Sequence, residues 1–125
     1  MNAALRHTRL PWSTRSNMVG MSTLLFLLPA CKQSLSPWKR LSCVLQAYVS
    51  YLSDYVHAGK PHLSHGIDRI VAACNIVLFG QARGADCIAF LCYVMSMLSI
   101  RRQKQRAYEM WHTLWHVAGT HCLLR

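Results

Sequence analysis

Five apolar stretches, set apart by basic or turn-rich joints, constrain this chain more than any other feature. They read MVGMSTLLFLLPA (18–30), LSCVLQAYVSYLSDYVH (41–57), GIDRIVAACNIVLFG (66–80), ADCIAFLCYVMSMLSI (85–100) and AYEMWHTLWHVAGTHCLLR (107–125). No strand-like alternation persists beyond a few residues, and there is neither repeat nor low-complexity tract. The expected fold is all-α: a multi-pass membrane helical bundle of about five short helices, near 18–30, 41–57, 66–80, 85–100 and 107–124, behind a basic leader over 1–17. Each stretch is shorter than the roughly 20 residues that cross a bilayer squarely, which suits a thin membrane or a bundle interior.

The charges sit as punctuation between the apolar runs. Lys and Arg number 14 against four acids, Asp54, Asp68, Asp86 and Glu109, for a net charge of +10 on a chain with a mean hydropathy of +0.17. A nucleic-acid module carries its basic residues as a patch on a hydrated face, so membrane lipids are the expected partners and nucleic acid is not. RRQKQR (101–106) is read as a topogenic loop, with binding to anionic headgroups as the other option. If all five stretches span, Arg6, Arg9, Arg15, Lys60, Arg101, Arg102, Lys104 and Arg106 share one side, expected to be cytoplasmic. Lys32, Lys39, Arg40, Arg83 and Arg125 share the other. The basic leader and LPAC (28–31) look like a signal peptide ending at a lipoprotein cleavage site, but the apolar runs that follow favour a signal anchor or first membrane helix. A soluble basic bundle with a cleaved leader is the alternative that the modest hydropathy keeps open.

The six cysteines show no CxxC and lie in or beside apolar runs, as unpaired packing residues do. GQARGAD lacks the strand and helix context of a phosphate loop.

Chemistry concentrates at two places. In WHTLWH (111–116), His112 and His116 stand four apart and therefore on one helical face, with Glu109 on the same side and Trp111 and Trp115 as a neighbouring stripe. A bland reading is an interfacial Trp/His belt on a non-catalytic small membrane protein, with a helix-packing partner or homo-oligomer as its context. In SDYVH (53–57), Ser53 and His57 likewise share a face, and Asp68 follows across the turn-rich loop AGKPHLSHG. By the parity of the crossings, Ser53, His57, Asp68, His112 and His116 all arrive at one end of the bundle. Three imidazoles and a water make an open tetrahedral zinc site, a carboxylate can take the proton of that water, and a hydroxyl can help hold an oxyanion. His62 and His65 are alternative third ligands; His121 is off the first face, and His7 lies in the leader.

S-x-x-x-H, then Asp, then H-x-x-x-H on a last helix resembles the CREST superfamily of membrane hydrolases, which includes alkaline ceramidases, adiponectin-type receptors and GPI-remodelling proteins. The step from His57 to Asp68 and the Trp in HTLWH look more like the ceramidase and GPI-remodelling branches. The resemblance implies zinc held by His57, His112 and His116, Asp68 and Ser53 acting on the metal water, and hydrolysis of a lipid amide or ester. It spans the second helix to the C-terminus, and the chain has room for about five of the family's seven helices.

Overall fold

The computed structural model describes residues 10, 12, 15–79 and 84–124, with backbone alone for 84–86. Most of the expected basic leader therefore lies outside the described residues. Within them the chain is helical, with no strand.

The first rod is a helix broken in its middle: α1 (Asn17–Thr23), a 3₁₀ turn over Leu24–Phe26, and α2 (Leu27–Ala30). Ser16 caps it by accepting the Val19 N–H. Pro29 sits within α2, where it supplies no N–H to the helical ladder. Ser36 caps α3 (Pro37–Tyr51), which has Pro37 in its first turn, where a missing N–H costs nothing. The helix continues through a π turn, Leu52–Val56, and ends at His57. After a loop containing Gly59 at φ 73° come α4 (Ser64–Phe79), α5 (Gly84–Arg101) and α6 (Gln105–Leu124). A tight turn joins α5 to α6, with Gln103 in the left-handed region at φ 54°. The five expected helical stretches are thus present as five rods, extended by a few residues where capping residues and turns fix their ends.

Packing places the two ends of the bundle. At one end Lys32 Nζ donates to the Leu124 carbonyl, Arg40 Nε donates to the Ala30 carbonyl over 2.8 Å, and Lys39 stands over the Phe79 ring. At the other end Tyr55 bonds Asn17, and α1 approaches so closely that a Cβ on Gly20 would stand 2.5 Å from the Tyr55 ring. The apolar core is small: Phe26, Cys43, Ala47 and Leu123, with Ala30 and Phe79 against them.

Much of what the bundle buries is polar, and several of its large apolar side chains are exposed. Gln46, Ser50, Asp68, Asn75, Ser96, His112 and His116 are all buried, while Trp38, Ile76, Val77 and Phe90 are each at least two-thirds exposed. This distribution also explains a departure from expectation. Among the described residues no helix is long and apolar enough to cross a membrane. At about 1.5 Å per residue α6 has the length, but its inward face is spent on His112, His116 and Thr120.

Candidate metal centre

Asp54, His112 and His116 form the site. Among the described residues they are the one group of three whose ligand atoms all lie within 4.8 Å of one another. His112 and His116 project one turn apart from α6, ring centroids 4.7 Å apart in an edge-to-face arrangement. Asp54 comes from the π turn and brings Oδ2 to 2.9 Å from His112 Nε2 and 3.2 Å from His116 Nε2. All three are largely withdrawn from solvent, His116 completely.

Each imidazole is held from behind by a serine on another helix. Ser96 of α5 lies 2.9 Å from His112 Nδ1, and Ser22 of α1 lies 2.7 Å from His116 Nδ1. The second contact fixes a proton. The Ser22 hydroxyl donates to the Val19 carbonyl over 2.7 Å, so toward His116 it can only accept. His116 therefore carries its hydrogen on Nδ1, and a neutral ring presents a bare Nε2 lone pair toward a carboxylate. Although Nε2 is within ion-pair distance of Asp54, its alignment forms no hydrogen bond, and it is a buried ring nitrogen without a partner. Outer partners that aim the inner nitrogens at one point are the arrangement that metal-ligating histidines use.

Asp68 opens the neighbouring wall from α4. Its Oδ1 accepts from Gln46 Nε2 over 2.9 Å and from the Ser50 hydroxyl. Asp54, Asp68, His112, Ser53 and Tyr108 line one cavity of about 50 Å³, enough for a water molecule. Arg69, Tyr93 and Trp115 line this cavity and also a much larger apolar groove of about 780 Å³, floored by residues such as Phe26, Ala73, Ile76 and Phe90.

The expected site residues divide. His112, His116 and Asp68 come together at one end of the bundle, as the crossing parity requires. His57 does not join them. The π turn adds a residue to the helical turn, with His57 N–H bonding the Leu52 carbonyl five residues back, and the backbone leaves helical geometry at His57 itself. A straight helix would have kept the face of Ser53 and His57 together; the π turn puts Asp54 on the α6 side instead. His57 stacks on His62, centroids 3.4 Å apart and rings 8° from parallel. Burial and the nearby His62, His65, Lys60 and Arg15 push its imidazole below the usual histidine range.

Ser53 lines the cavity, but its hydroxyl is engaged. His65 Nε2–H donates to the Lys60 carbonyl over 2.8 Å, so in the neutral ring its Nδ1 accepts from the Ser53 hydroxyl, also over 2.8 Å. Neither His62, which accepts the Ser64 N–H, nor His65 supplies a third ligand. Glu109 bonds Gln105 one turn earlier on the same helix.

Sequence reasoning missed Asp54, Ser22 and Ser96. Asp54 had a signal: Ser50 and Asp54 form an S-x-x-x-D pair one turn before Ser53 and His57. The serines had none, because serine in an apolar helical run is unremarkable. No protein-family model matches this chain, and neither does any curated protein or solved structure.

Proposed function

We propose that this protein is a zinc-dependent hydrolase seated in a bilayer, cleaving an amide or ester bond of a lipid, with the ion held by Asp54, His112 and His116. One observation carries the reading: His116 Nε2, buried, without a hydrogen-bond partner and bare in the neutral tautomer that the Ser22 contact selects, faces a buried carboxylate. Two imidazoles and one carboxylate are an established open ligand set for zinc. Their separations also suit it, since two ligands each 2.0–2.1 Å from zinc at a tetrahedral angle stand about 3.4 Å apart. When bound, zinc lowers the pKa of its water to about 7 and polarises a carbonyl oxygen.

The chain's own groups supply the rest. Ser22 and Ser96 keep both imidazoles aimed at Asp54. His112 Nε2–H donates to the Asp54 carboxylate over 2.9 Å while the Ser96 hydroxyl donates to its Nδ1; for His112 to hold an ion that proton would shift to Nδ1, where the Ser96 hydroxyl can turn to accept it. Asp68, steadied by Ser50 and Gln46 in the same cavity, takes the proton of the attacking water. Ser53 positions His65 against the 57–65 loop rather than acting on substrate. The adjoining apolar groove suits an acyl chain, and the exposed Ile76, Val77 and Phe90 suit contact with lipid tails. Leaving side chains of this size in water forgoes about 25 cal/mol for each Å² of apolar surface. Of the residues on which the CREST resemblance rests, His112, His116 and Asp68 support the reading, while His57 stands outside the site and Asp54 takes its place as third ligand.

The test is metal content of the detergent-purified full chain, together with carbonate extraction of membranes. One zinc per chain is expected, lost in Asp54→Asn, His112→Ala and His116→Ala and retained in His57→Ala, with the protein in the carbonate-resistant pellet. A wild-type protein that takes up no zinc overturns the metal reading and leaves Asp54 as the counter-ion of a structural histidine pair. Release into the carbonate supernatant overturns the bilayer reading.

A further inference from the structure

Outside the ligand cluster, one buried polar network on α3 and α4 touches no ligand yet ends on Asp68. The Ser42 hydroxyl donates to Asn75 Oδ1. Asn75 Nδ2 donates to Gln46 Oε1 over 3.0 Å. Gln46 Nε2 donates to Asp68 Oδ1 and, over 2.8 Å, to Ser50, whose hydroxyl donates to the same carboxylate oxygen. Gln46, Ser50, Asp68 and Asn75 are each at most 5% exposed. Every bond in the run points the same way, donor to acceptor, toward the carboxylate.

This single direction is a constraint. An amide offers a donor at one end and an acceptor at the other, so turning Gln46 would set its oxygen against Asp68 and its NH₂ against the NH₂ of Asn75. Neither amide can turn alone without setting two buried donors or two buried acceptors against each other, which costs about 1–3 kcal/mol per unpaired group. The two amides therefore share two arrangements. In one, both aim donors at an ionised Asp68. In the other, both are reversed, Gln46 Oε1 accepts a proton held on Asp68, and Asn75 Nδ2 donates to Ser42.

We propose that Gln46 and Asn75 are positioning residues, forming an amide relay that clamps Asp68 and reverses as a unit when that carboxylate gains a proton. The proposal rests on Asp68 acting as the base of the hydrolase reading. There, a proton leaves the attacking water for Asp68, and the reversed relay accepts the hydrogen bond of the resulting carboxylic acid. A rigid, apolar wall would leave that new O–H buried and unpaired. The charged and titratable groups that line the cavity with Asp68 are Asp54 from the π turn, His65 and Arg69 on α4, Tyr93 on α5, and Tyr108 and His112 on α6; the relay is the neutral element among them.

Side-chain amide NMR of the full chain in detergent, labelled at Gln and Asn nitrogen, tests this without any need for turnover. Asp68→Asn, which removes the charge at constant shape, is expected to shift the Gln46 and Asn75 side-chain signals together. In Gln46→Met, Asn75 is expected to become indifferent to the change at residue 68. Asn75→Asp approaches from the other end, and is expected to turn Gln46 around and move its amide signals even if Asp68→Asn folds poorly. Asn75 signals that ignore Asp68→Asn, or that still respond when Gln46 is replaced, overturn the relay. On a short-chain fluorescent ceramide in micelles, Gln46→Met is expected to lower kcat rather than raise KM, with no further loss on the Asp68→Asn background. Absence of any hydrolysis by the wild-type protein overturns the hydrolase reading and leaves the relay to the NMR result.

Discussion

Replacing Ser22 with Ala separates a metal ligand's support from ordinary packing. Ser22 is buried and accepts the Nδ1–H of His116 because its own proton is committed to Val19. Without the hydroxyl, His116 is released to the other tautomer, in which Nε2–H reaches for Asp54 across 3.2 Å and Nδ1 faces a methyl group. Two buried hydrogen bonds are lost, to Val19 and His116, and one is gained, each worth about 0.5–1.5 kcal/mol, so the metal-free fold is expected to lose about 0.5–1.5 kcal/mol. Metal binding changes far more, since it must now displace that proton and proceed without the outer partner. Loss of such a partner weakens metal affinity by about 10- to 100-fold, or roughly 1.4–2.7 kcal/mol. The assay is competition for zinc against a chelator, run beside thermal melts of chelated protein. Undiminished affinity in Ser22→Ala refutes the tautomer argument. So does a large loss of stability with affinity intact, which would make Ser22 a packing residue only.

Three further outcomes are expected. Gly20→Ala forces a methyl to 2.5 Å from the Tyr55 ring, which is also pinned by Asn17 and stacked on Tyr51, and should destabilise the fold by about 1–3 kcal/mol in denaturant melts; a neutral result would show that α1 can back away. Gln103→Gly removes the strain of a left-handed non-glycine residue between α5 and α6 and should stabilise by about 0.5–1 kcal/mol, read as a higher Tm. His57 is held below its ordinary range, so the folded state favours its neutral ring. Stability is then fully present above the unfolded value of about 6.5 and declines as pH falls below it. His57→Gln should flatten that part of a Tm–pH series between pH 8 and 5, and an unchanged slope would assign it to another group.

The five rods were legible because apolar runs bounded by Ser, Pro, Gly and basic joints leave a helix few alternatives. The convergence of His112, His116 and Asp68 was legible too, since it depends only on how many rods separate them. The identity of the third group was not. A 3.6-residue period places Ser53 and His57 on one face, and nothing in SDYVH announces the wider turn that puts Asp54 there instead. The supporting serines were beyond reach for a different reason. Ser22 and Ser96 matter through contacts with α6 that lie 94 and 16 positions away in the chain, and a small hydroxyl in an apolar run carries no signature of them. The expected membrane spans were not found for a related reason: the inward serines, amides and histidines dilute the hydropathy of each described helix below what a span needs.

Lys32, Arg40 and Lys39 deserve a last physical consequence. The first two lie on the carbonyl ends of α6 and α2, where each helix presents the negative pole of its peptide dipoles, and the third rests on an aromatic face. At that end of the molecule the formal charges are already answered by partial negative charge within the protein. The electric asymmetry between the two ends is therefore steeper than a count of lysines and arginines suggests, with its positive pole at the end that carries Lys60 and the 101–106 turn.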